Sequence, residues 1–323
     1  MKTCMKIDKP LISIVMAVFN PNMQWLEQQL CSLNEQSYKN IQLLVLDDCS
    51  TKVAYEEICA CIRRCVNRFP CDIGANERNM GSNKTFEKLT RLAKGKYIAY
   101  CDQDDIWNAD KLTVLEDLIK KTGALLVCSD VTVINGEGNI TANSITKMRK
   151  RHIFKEGSDL GYGLLFKNFV IGCAMLIDSQ TAKNALPYID SMVHDHYLAL
   201  YAALQGKIAV CKTNLICYRI HENNQTNVMT GVDSKKEYYE KRIIPFYTRI
   251  AAIKSRLFVK DIDKALLWAQ ARKDYYHGSW KCGAVIWKYR HMNRSTAMFE
   301  LIMLKVPSFL FNLVIRRIQA GKA

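Results

Sequence analysis

The sequence lacks the features that identify several common classes of protein. It has no internal repeat, no low-complexity segment, no Cys-x-x-Cys pair and no run of about 20 uncharged apolar residues that would span a bilayer. Its first ten residues lead directly into an apolar run, so the sequence shows no secretory signal. These absences argue against a repeat protein, a secreted disulfide-rich protein and a multi-span membrane protein.

The cysteines number 13, an odd count, and they are scattered through apolar runs. We therefore expect reduced core residues of a cytosolic protein rather than a disulfide framework. One local cluster leaves two interpretations open, a zinc site or packing on a helix face: Cys59, Cys61, Cys65 and Cys71. The spacing and the absence of nearby histidines favour packing.

The positive charge of the chain is concentrated in its last quarter. At 323 residues and 49% hydrophobic content, the chain is long enough for one large α/β domain with an appendage. Residues 235–323 hold 19 Lys/Arg against 6 Asp/Glu, whereas residues 1–234 hold 27 against 25. Nearly all of the net charge of +15 therefore belongs to a basic tail.

The first half alternates between β-rich apolar runs and helical patterns, which predicts β-α-β units and a mainly parallel sheet. The predicted strands are 11–18, 41–46, 71–75 and 97–101, and the predicted helices are 22–36, 53–66, 82–93 and 110–120. A hairpin and a basic loop follow over 135–160, then a helix near 194–205 and a strand over 208–218. From residue 235 onward the pattern is helical.

Three carboxylates, Asp102, Asp104 and Asp105, come directly after the apolar strand Tyr97–Cys101. Such crowding raises each carboxyl's pKa or recruits a cation, and clustered oxygen ligands suit Mg²⁺ or Mn²⁺ bound to a diphosphate. The alternative is an Asp-rich loop that caps the next helix, with Asp110 at its start. Because ligands of open α/β sheets bind beyond the strand ends, we expect a metal–nucleotide site here.

Four blocks in a fixed order resemble the family-2 glycosyltransferases of the GT-A fold. They are residues 13–20 (SIVMAVFN), 45–50 (VLDDCS), 78–81 (RNMG) and 95–107 (GKYIAYCDQDDIW). The resemblance covers about residues 9–225 and is nearest to bacterial rhamnosyltransferase-like members of surface polysaccharide biosynthesis. It implies an α/β GT-A fold: a Rossmann-like nucleotide-binding sheet over 9–130 and a mixed acceptor half over 131–234, giving a catalytic domain of 1–234 followed by the helical tail 235–323.

The resemblance also implies roles for individual residues. The donor's nucleotide and sugar would contact Ala17, Phe19, Asn20, Asp47, Asp48, Arg78, Asn79 and Asp102, and the metal, Mg²⁺ or Mn²⁺, would be held by Asp104 and Asp102. His221 is a further candidate for the metal or the diphosphate, because an imidazole nitrogen can complete a coordination sphere that two carboxylates leave open. Asp47 or Asp48 could instead merely end its strand. Alternatively, His221 is a surface or hydrogen-bonded histidine without a role in binding.

Asp195 matches the position of the family's catalytic base. It stands in a His-Asp pair, His194-Asp195, where the family places two acidic residues, and plain capping of the next helix is the alternative. We expect capping from His194 and take His196 as the next candidate for the base. The stretch 218–221 (YRIH), with Asn223 and Asn224, fits the rhamnosyltransferase-like subgroup, and the missing Gln-x-x-Arg-Trp motif favours transfer of a single sugar.

The tail suits the surface of a membrane. Residues 299–315 are apolar but are interrupted by Glu300, Lys305 and Pro307, which favours an interfacial segment over a span, and basic and aromatic residues precede it. Nucleic-acid binding and a helical face packed on protein are the alternatives. We predict no nucleic-acid partner and a cytoplasmic location, peripheral on the inner face of the cell membrane.

The sequence thus predicts an inverting glycosyltransferase that moves one sugar from a nucleoside-diphosphate donor to a lipid-linked glycan. The hypothesised donor is dTDP-L-rhamnose, with a UDP-hexose as the alternative. A nucleotidyltransferase would need a Gly-rich phosphate loop where the chain has residues 19–22 (FNPN). A non-catalytic basic membrane- or nucleic-acid-binding protein is disfavoured because Asp102, Asp104 and Asp195 are all present.

Overall fold

The strands predicted for the first half of the chain join a larger, nine-stranded sheet. The computed structural model describes residues 9–149, 152–221 and 231–319. The strands are β1 Ile12–Val18, β2 Ile41–Asp47, β3 Cys71–Ala75, β4 Tyr97–Cys101, β5 Ile106–Trp107, β6 Leu126–Ile134, β7 Ile140–Ala142, β8 Met175–Asp178 and β9 Ile208–Arg219.

Helices alternate with these strands and then form the rest of the chain. They are α1 Met23–Asn34, α2 Tyr55–Cys65, α3 Ser82–Leu92, α4 Lys111–Thr122, α5 Ile145–Met148, α6 Gly161–Leu164, α7 Ser179–Asn184, α8 His194–Gln205, α9 Lys235–Tyr238, α10 Ile244–Arg256, α11 Ile262–Tyr276, α12 Lys281–Lys288, α13 Arg294–Met303 and α14 Ser308–Gln319. A 3₁₀ turn covers Gly172–Ala174, and a π-helical turn, Tyr239–Ile243, joins α9 to α10.

The sheet changes from parallel to mixed near its middle. Its order is β3-β2-β1-β4-β8-β6-β9-β5, with β7 paired to β6. The first four strands are parallel neighbours, β8 is antiparallel to both β4 and β6, and β9 is parallel to β6. Nearly every residue of β1, β2 and β4 is buried, which is typical of parallel strands covered on both faces. This confirms the predicted α/β class.

The predicted elements of the first half differ from the observed ones by at most two residues at their ends. The helix predicted over 22–36 begins at Met23, because the Asn22 side chain accepts hydrogen bonds from the backbone N–H groups of Gln24 and Trp25 at 3.0 and 3.3 Å and caps it. The predicted basic loop begins as the short helix α5, and its residues 150 and 151 lie outside the described part. Three of the clustered cysteines, Cys59, Cys61 and Cys65, lie on the buried face of α2.

The chain divides into two units, Met1–Leu160 with Asn168–His221 and Gly161–Lys167 with Glu222–Ala323. The second unit is helical, and its core includes Trp268, Phe311 and Ile315, each with no exposed side-chain surface. The last predicted apolar run is divided by Pro307 into α13 and α14. Within the described ranges, each helix is too short or too polar to cross a bilayer.

Candidate active site

The register of the sheet places the ends of β2 and β4, which carry the carboxylates Asp47 and Asp102, on either side of the end of β1. Val18 pairs with Asp47 of β2, and Met16 pairs with Cys101 of β4, the residue before Asp102. The predicted nucleotide-binding residues at the ends of β1, β2 and β4 therefore lie along one edge of the sheet. Sequence order alone separates them by more than 80 residues.

Asn20 fastens the loop after β1 to the loop after β2. Its backbone N–H donates to Ser50 Oγ at 2.8 Å, and its Oδ1 accepts from the N–H groups of Thr51 and Lys52, each at 2.8 Å. Asp47 holds the same loop, since its carboxylate accepts from Ser50 N at 3.0 Å and Ser50 Oγ at 2.5 Å. Asn20 has a φ of 44°, which asparagine tolerates better than most residues.

Asp48 anchors the loop that carries Arg78 and Asn79. It is buried, and its two carboxylate oxygens accept from the backbone N–H groups of Met80 and Gly81, each at 2.8 Å. Arg78 and Asn79 come immediately before this anchor and are exposed. Asp48 thus orients the loop in this structure, while Arg78 and Asn79 are accessible to a ligand.

Gln103 joins the carboxylate loop to the loop after β1, a role that the sequence analysis missed. Its Oε1 accepts from Phe19 N at 2.8 Å, and its Nε2 donates to Phe19 O at 3.1 Å. The two-way contact leaves the Phe19 side chain 43% exposed at the edge of the sheet, next to Ala17 and Asn20 in sequence. The glutamine of a DQDD sequence is the signal that could have indicated this contact.

Asp104 and His221 are in direct contact. Asp104 Oδ2 lies 2.7 Å from His221 Nε2, with 19% and 17% of the two side chains exposed. Arg219, at the end of β9, donates from Nε to Asp104 O at 2.8 Å and so fixes the loop backbone. The Trp25 ring lies 4.9 Å from the imidazole. Two of the three predicted metal ligands are therefore adjacent and accessible to solvent.

Asp102 and Asp105 converge with Cys173 above a buried lysine. One ligand atom of each of the three residues lies within 4.8 Å of the others. Burial, Asp104 and Asp195 raise the pKa of Asp102 to about 7, and burial with the neighbouring carboxylates raises the pKa of Asp105 well above its usual range.

Lys111 supplies part of the compensating charge. Its Nζ donates to Cys173 O at 2.5 Å and lies 2.9 Å from the centroid of the Trp107 ring. Burial lowers the pKa of Lys111 to about 7. Asp105 faces inward, since its Oδ1 accepts from Arg219 N at 2.9 Å and it has no exposed surface. Asp102 and Asp104 are the carboxylates of this loop that a ligand can reach. A divalent cation bound between them would relieve the repulsion of their negative charges.

Asp195 is held at the start of α8 by two donors from elsewhere in the fold. Gly172 N donates to its Oδ2 and Asn168 Nδ2 to its Oδ1, each at 3.2 Å. Burial raises the pKa of Asp195 to about 6. A Cβ on Gly172 would lie 3.2 Å from Asp195 Cβ, so the close approach favours glycine. Gly172 donates to Asp195, and the adjacent Cys173 lies close to Asp102. These two neighbouring residues therefore bring the predicted base near the loop of Asp102 and Asp104.

The capping roles considered for this region are not observed. The residue at the N-cap of α8 is Val193, so Asp195 lies inside the helix, and the predicted capping by His194 is wrong. The His194 ring instead packs on Phe86 and Tyr100, with centroids 4.3 and 5.2 Å away, and burial lowers its pKa to about 3.

Asp110 does occupy the N-cap of α4, but its side chain makes no capping hydrogen bond. Asn223 and Asn224 lie outside the described residues.

Comparison with known proteins agrees with this geometry. One relative is the UDP-Glc:alpha-D-GlcNAc-diphosphoundecaprenol beta-1,3-glucosyltransferase WfgD of Escherichia coli, 27% identical over 68% of this chain and 80% of its own length. Another is the dTDP-rhamnosyl transferase RfbG of Shigella flexneri, 24% identical over 91% of this chain and 100% of its own. Among solved structures, the mannosyltransferase PcManGT from Pyrobaculum calidifontis, in complex with GDP-Man and Mn²⁺, superposes with a TM-score of 0.57 at 12% identity, covering 97% of this chain and 86% of that one.

The fold and the relatives point the same way. The mixed sheet with its helical tail is that of the GT-A glycosyltransferases, as predicted. The family model described as "Glycosyl transferase family 2" matches residues 13–179, more than half of the chain. The chain belongs to glycosyltransferase family 2, in company with enzymes of surface polysaccharide biosynthesis.

Proposed function

We propose that this protein is an inverting, metal-dependent glycosyltransferase that transfers one sugar from a nucleoside-diphosphate donor to a lipid-linked glycan. The single observation that carries the proposal is the convergence of Asp195 with the loop of Asp102 and Asp104. Gly172 N donates to Asp195 Oδ2 at 3.2 Å, and the sulfur of the next residue, Cys173, lies within 4.8 Å of a carboxylate oxygen of Asp102. Asp102 and Asp104 suit the metal and the diphosphate, and Asp195 suits the acceptor hydroxyl.

Asp102 and Asp104, with His221, would hold Mg²⁺ or Mn²⁺. The bound ion supplies positive charge to the diphosphate as it leaves. The fit rests on the accessible Asp104–His221 pair and on Asp102, a half-buried carboxylate two residues from Asp104 on the same loop. The loop that Gln103 fastens to Phe19 would hold the nucleotide, together with Ala17, Asn20 and Asp47. Exposed Arg78 and Asn79 would close over it.

Asp195 would act as the general base. Inverting transfer needs a carboxylate that accepts the proton of the acceptor hydroxyl as the new bond forms on the face opposite the diphosphate. The Asp195 carboxylate accepts hydrogen bonds of 3.2 Å from Asn168 and Gly172, and burial raises its pKa to about 6, so it is ionised at neutral pH and more basic than an exposed aspartate. His196 remains the next candidate if Asp195 fails this test.

The proposed donor is dTDP-L-rhamnose, with a UDP-hexose as the second candidate. The first is supported by RfbG, a dTDP-rhamnosyl transferase that the chain matches over its entire length. The second is supported by WfgD, whose name specifies UDP-Glc. The same name specifies a diphosphoundecaprenol-linked acceptor, which supports a lipid-linked glycan here.

We also propose that the second unit binds the inner face of the cell membrane as a peripheral protein. On α14 the exposed residues Phe309 and Leu313 share one face with exposed Arg316 and Arg317, while Phe311 faces the core. Trp280 and Trp287 are 76% and 50% exposed on and beside α12. Exposed aromatic and apolar side chains beside cationic ones suit an anionic lipid surface.

A donor panel tests the proposed function. The full-length protein, an Asp104→Asn variant and a matched Asp178→Asn control would be incubated with dTDP-L-rhamnose, UDP-glucose, UDP-galactose and UDP-GlcNAc, with Mn²⁺ or with EDTA, and nucleoside diphosphate release would be measured. We expect one donor to be turned over in Mn²⁺ alone, with a loss of about 10²-fold in the Asp104 variant. Equal turnover in EDTA would refute metal dependence. Turnover of a UDP-hexose without dTDP-rhamnose would reject the rhamnose assignment.

A further inference from the structure

One face of the helix that passes from the π-helical turn into α10 combines arginines with aromatic rings. Arg242, Phe246 and Arg249 follow one another at intervals of four and three residues, so they lie on one side of the helix. The Arg249 guanidinium lies 5.0 Å from the centroid of the Phe246 ring. Arg272 of α11 lies 4.8 Å from the same ring and 4.6 Å from the ring of Trp268.

The negative charge in this cluster neutralises only one of the three arginines. Glu300 forms a two-point ion pair with Arg272, at 2.8 Å to Nε and 2.6 Å to one terminal nitrogen, and accepts from the Tyr238 hydroxyl at 2.9 Å. Among the described residues, no carboxylate lies within 4.0 Å of Arg242 or Arg249. Within the described ranges, the positive charges of Arg242 and Arg249 are therefore uncompensated.

Three donors of this cluster are also unused. Across the part of the chain that the structure describes, Arg242 Nε, Arg249 Nε and Trp268 Nε1 are buried atoms with no acceptor in reach. The one hydrogen bond of Arg249 is long, 3.4 Å from a terminal nitrogen to Leu165 O. Burial and the neighbouring Arg272 lower the pKa of Arg249 to about 10. Buried donors and charges without partners are costly, which points to an anion as the missing partner.

We propose that Arg242 and Arg249 bind the phosphate groups of a lipid, and that the lipid is the diphosphate-linked acceptor. This inference rests on the proposed function in one respect, the lipid-linked nature of that acceptor. A guanidinium fork matches phosphate oxygens in shape and charge. The diphosphate carries two negative charges, which equals the number of uncompensated arginines, whereas a phosphodiester headgroup carries one.

The dimensions of the site fit such a group. Seven helical residues advance by about 10 Å, a distance that two arginine side chains span around a diphosphate. Both arginines are half-buried rather than fully enclosed, so part of each side chain is open to solvent and to an approaching anion. Arg272 is committed to Glu300 and would contribute only long-range attraction.

Calorimetric titration of the full-length protein in EDTA tests the site. The three probes are farnesyl diphosphate, inorganic pyrophosphate and phosphatidylglycerol vesicles. The variants are Arg242→Gln and Arg249→Gln, and the matched control is Arg294→Gln, which removes the same charge from an exposed position in the same unit. We expect each cluster variant to weaken farnesyl diphosphate and pyrophosphate binding about tenfold or more, with the control within about twofold of wild type.

Two outcomes would overturn the assignment. Equal affinity of wild type and Arg249→Gln for all three probes would reject the site. Weaker binding to the vesicles alone would reject the diphosphate and leave a headgroup phosphate as the occupant. An Arg249→Lys variant, which keeps the charge but not the fork, guards against misfolding and should bind with intermediate affinity. The titrations contain no sugar donor, so they report on this site even if the protein has no transferase activity. If the enzyme is active but the variants bind the probes as wild type does, only the diphosphate site is refuted and the proposed function stands.

Discussion

The two units of the molecule bury opposite excesses of charge. In the first unit, Asp102, Asp105 and Asp195 have raised pKa values, and Lys111 and Arg219 compensate them only in part. In the second unit, Glu300 pairs with Arg272, while Arg242 and Arg249 have no carboxylate partner among the described residues. Because an uncompensated buried charge is costly, each excess indicates a ligand of opposite sign. The sheet would take a cation with its diphosphate donor, and the helices would take an anion.

The largest effect is expected from removing the one carboxylate of the arginine cluster. Glu300→Gln keeps the shape but leaves Arg272 buried without its partner, so we expect unfolding free energy to fall by about 3–5 kcal/mol. Urea unfolding followed by circular dichroism and tryptophan fluorescence would measure it. The control is Asp261→Asn, which breaks an exposed pair with Lys264 and should change stability little. A small effect of Glu300→Gln would show that the cluster is not short of negative charge.

Asp195→Asn is expected to give the largest loss of activity. The amide keeps the shape of the side chain and one of its two accepting atoms, but it cannot take up the proton of the acceptor hydroxyl. Transfer should therefore fall by about 10²-fold or more, while donor affinity stays near wild type and the melting temperature falls only slightly. Asp178→Asn is the matched control, because Asp178 accepts from Thr181 N at 2.8 Å and caps α7 away from the proposed chemistry. Near-normal transfer in Asp195→Asn would move the search to His196.

The predicted and the unforeseen parts of the site differ in the range of the contacts involved. The strand Tyr97–Cys101 and the carboxylates after it are adjacent in sequence, so local pattern was sufficient to predict them. The contacts of Asn168 and Gly172 with Asp195 join residues 27 and 23 positions apart, and they depend on how the segment that ends in the 3₁₀ turn Gly172–Ala174 meets α8 in the fold. No periodicity or motif encodes such a contact.

The second unit shows the same limit. In the sequence, Glu300 interrupts an apolar run and is typical of an interfacial helix, yet it is fully buried as the partner of Arg272, 28 residues away. Segment Gly161–Lys167 reads as part of the preceding domain, but it belongs to the helical unit, where the Phe166 ring lies 5.9 Å from that of Trp268. Charge pairing and segment exchange of this kind become visible only in three dimensions.

A smaller effect would sharpen the comparison at the proposed base. Asn168→Ala removes a donor to the Asp195 carboxylate, and since hydrogen bonds to the ionised form lower a pKa, the pKa of Asp195 should rise further above about 6. A base works when ionised, so as the pH is lowered the variant should lose activity earlier than wild type does. We expect its activity to be roughly fivefold below wild type at pH 6.5 and close to wild type at pH 8.5. The pH–rate profile measures this. The same deficit at every pH would assign Asn168 a purely structural role, and exposed Asn184→Ala is the control.

The smallest effect is expected at the proposed membrane surface. Truncation before α13 would remove Glu300 and the buried Phe311, and so would confuse binding with unfolding. The sharper change is Phe309→Ser with Leu313→Ser, two exposed positions on one face of α14, compared with Leu92→Ser on the first unit, which is 49% exposed. We expect binding to phosphatidylglycerol vesicles to fall by roughly fivefold in the double variant and to stay unchanged in the control, because insertion scales with buried apolar area. Added salt should weaken the residual binding, since the basic residues supply the attraction. Binding that resists salt and is unaffected by the double variant would remove α14 from the membrane surface and leave its apolar face to a protein partner.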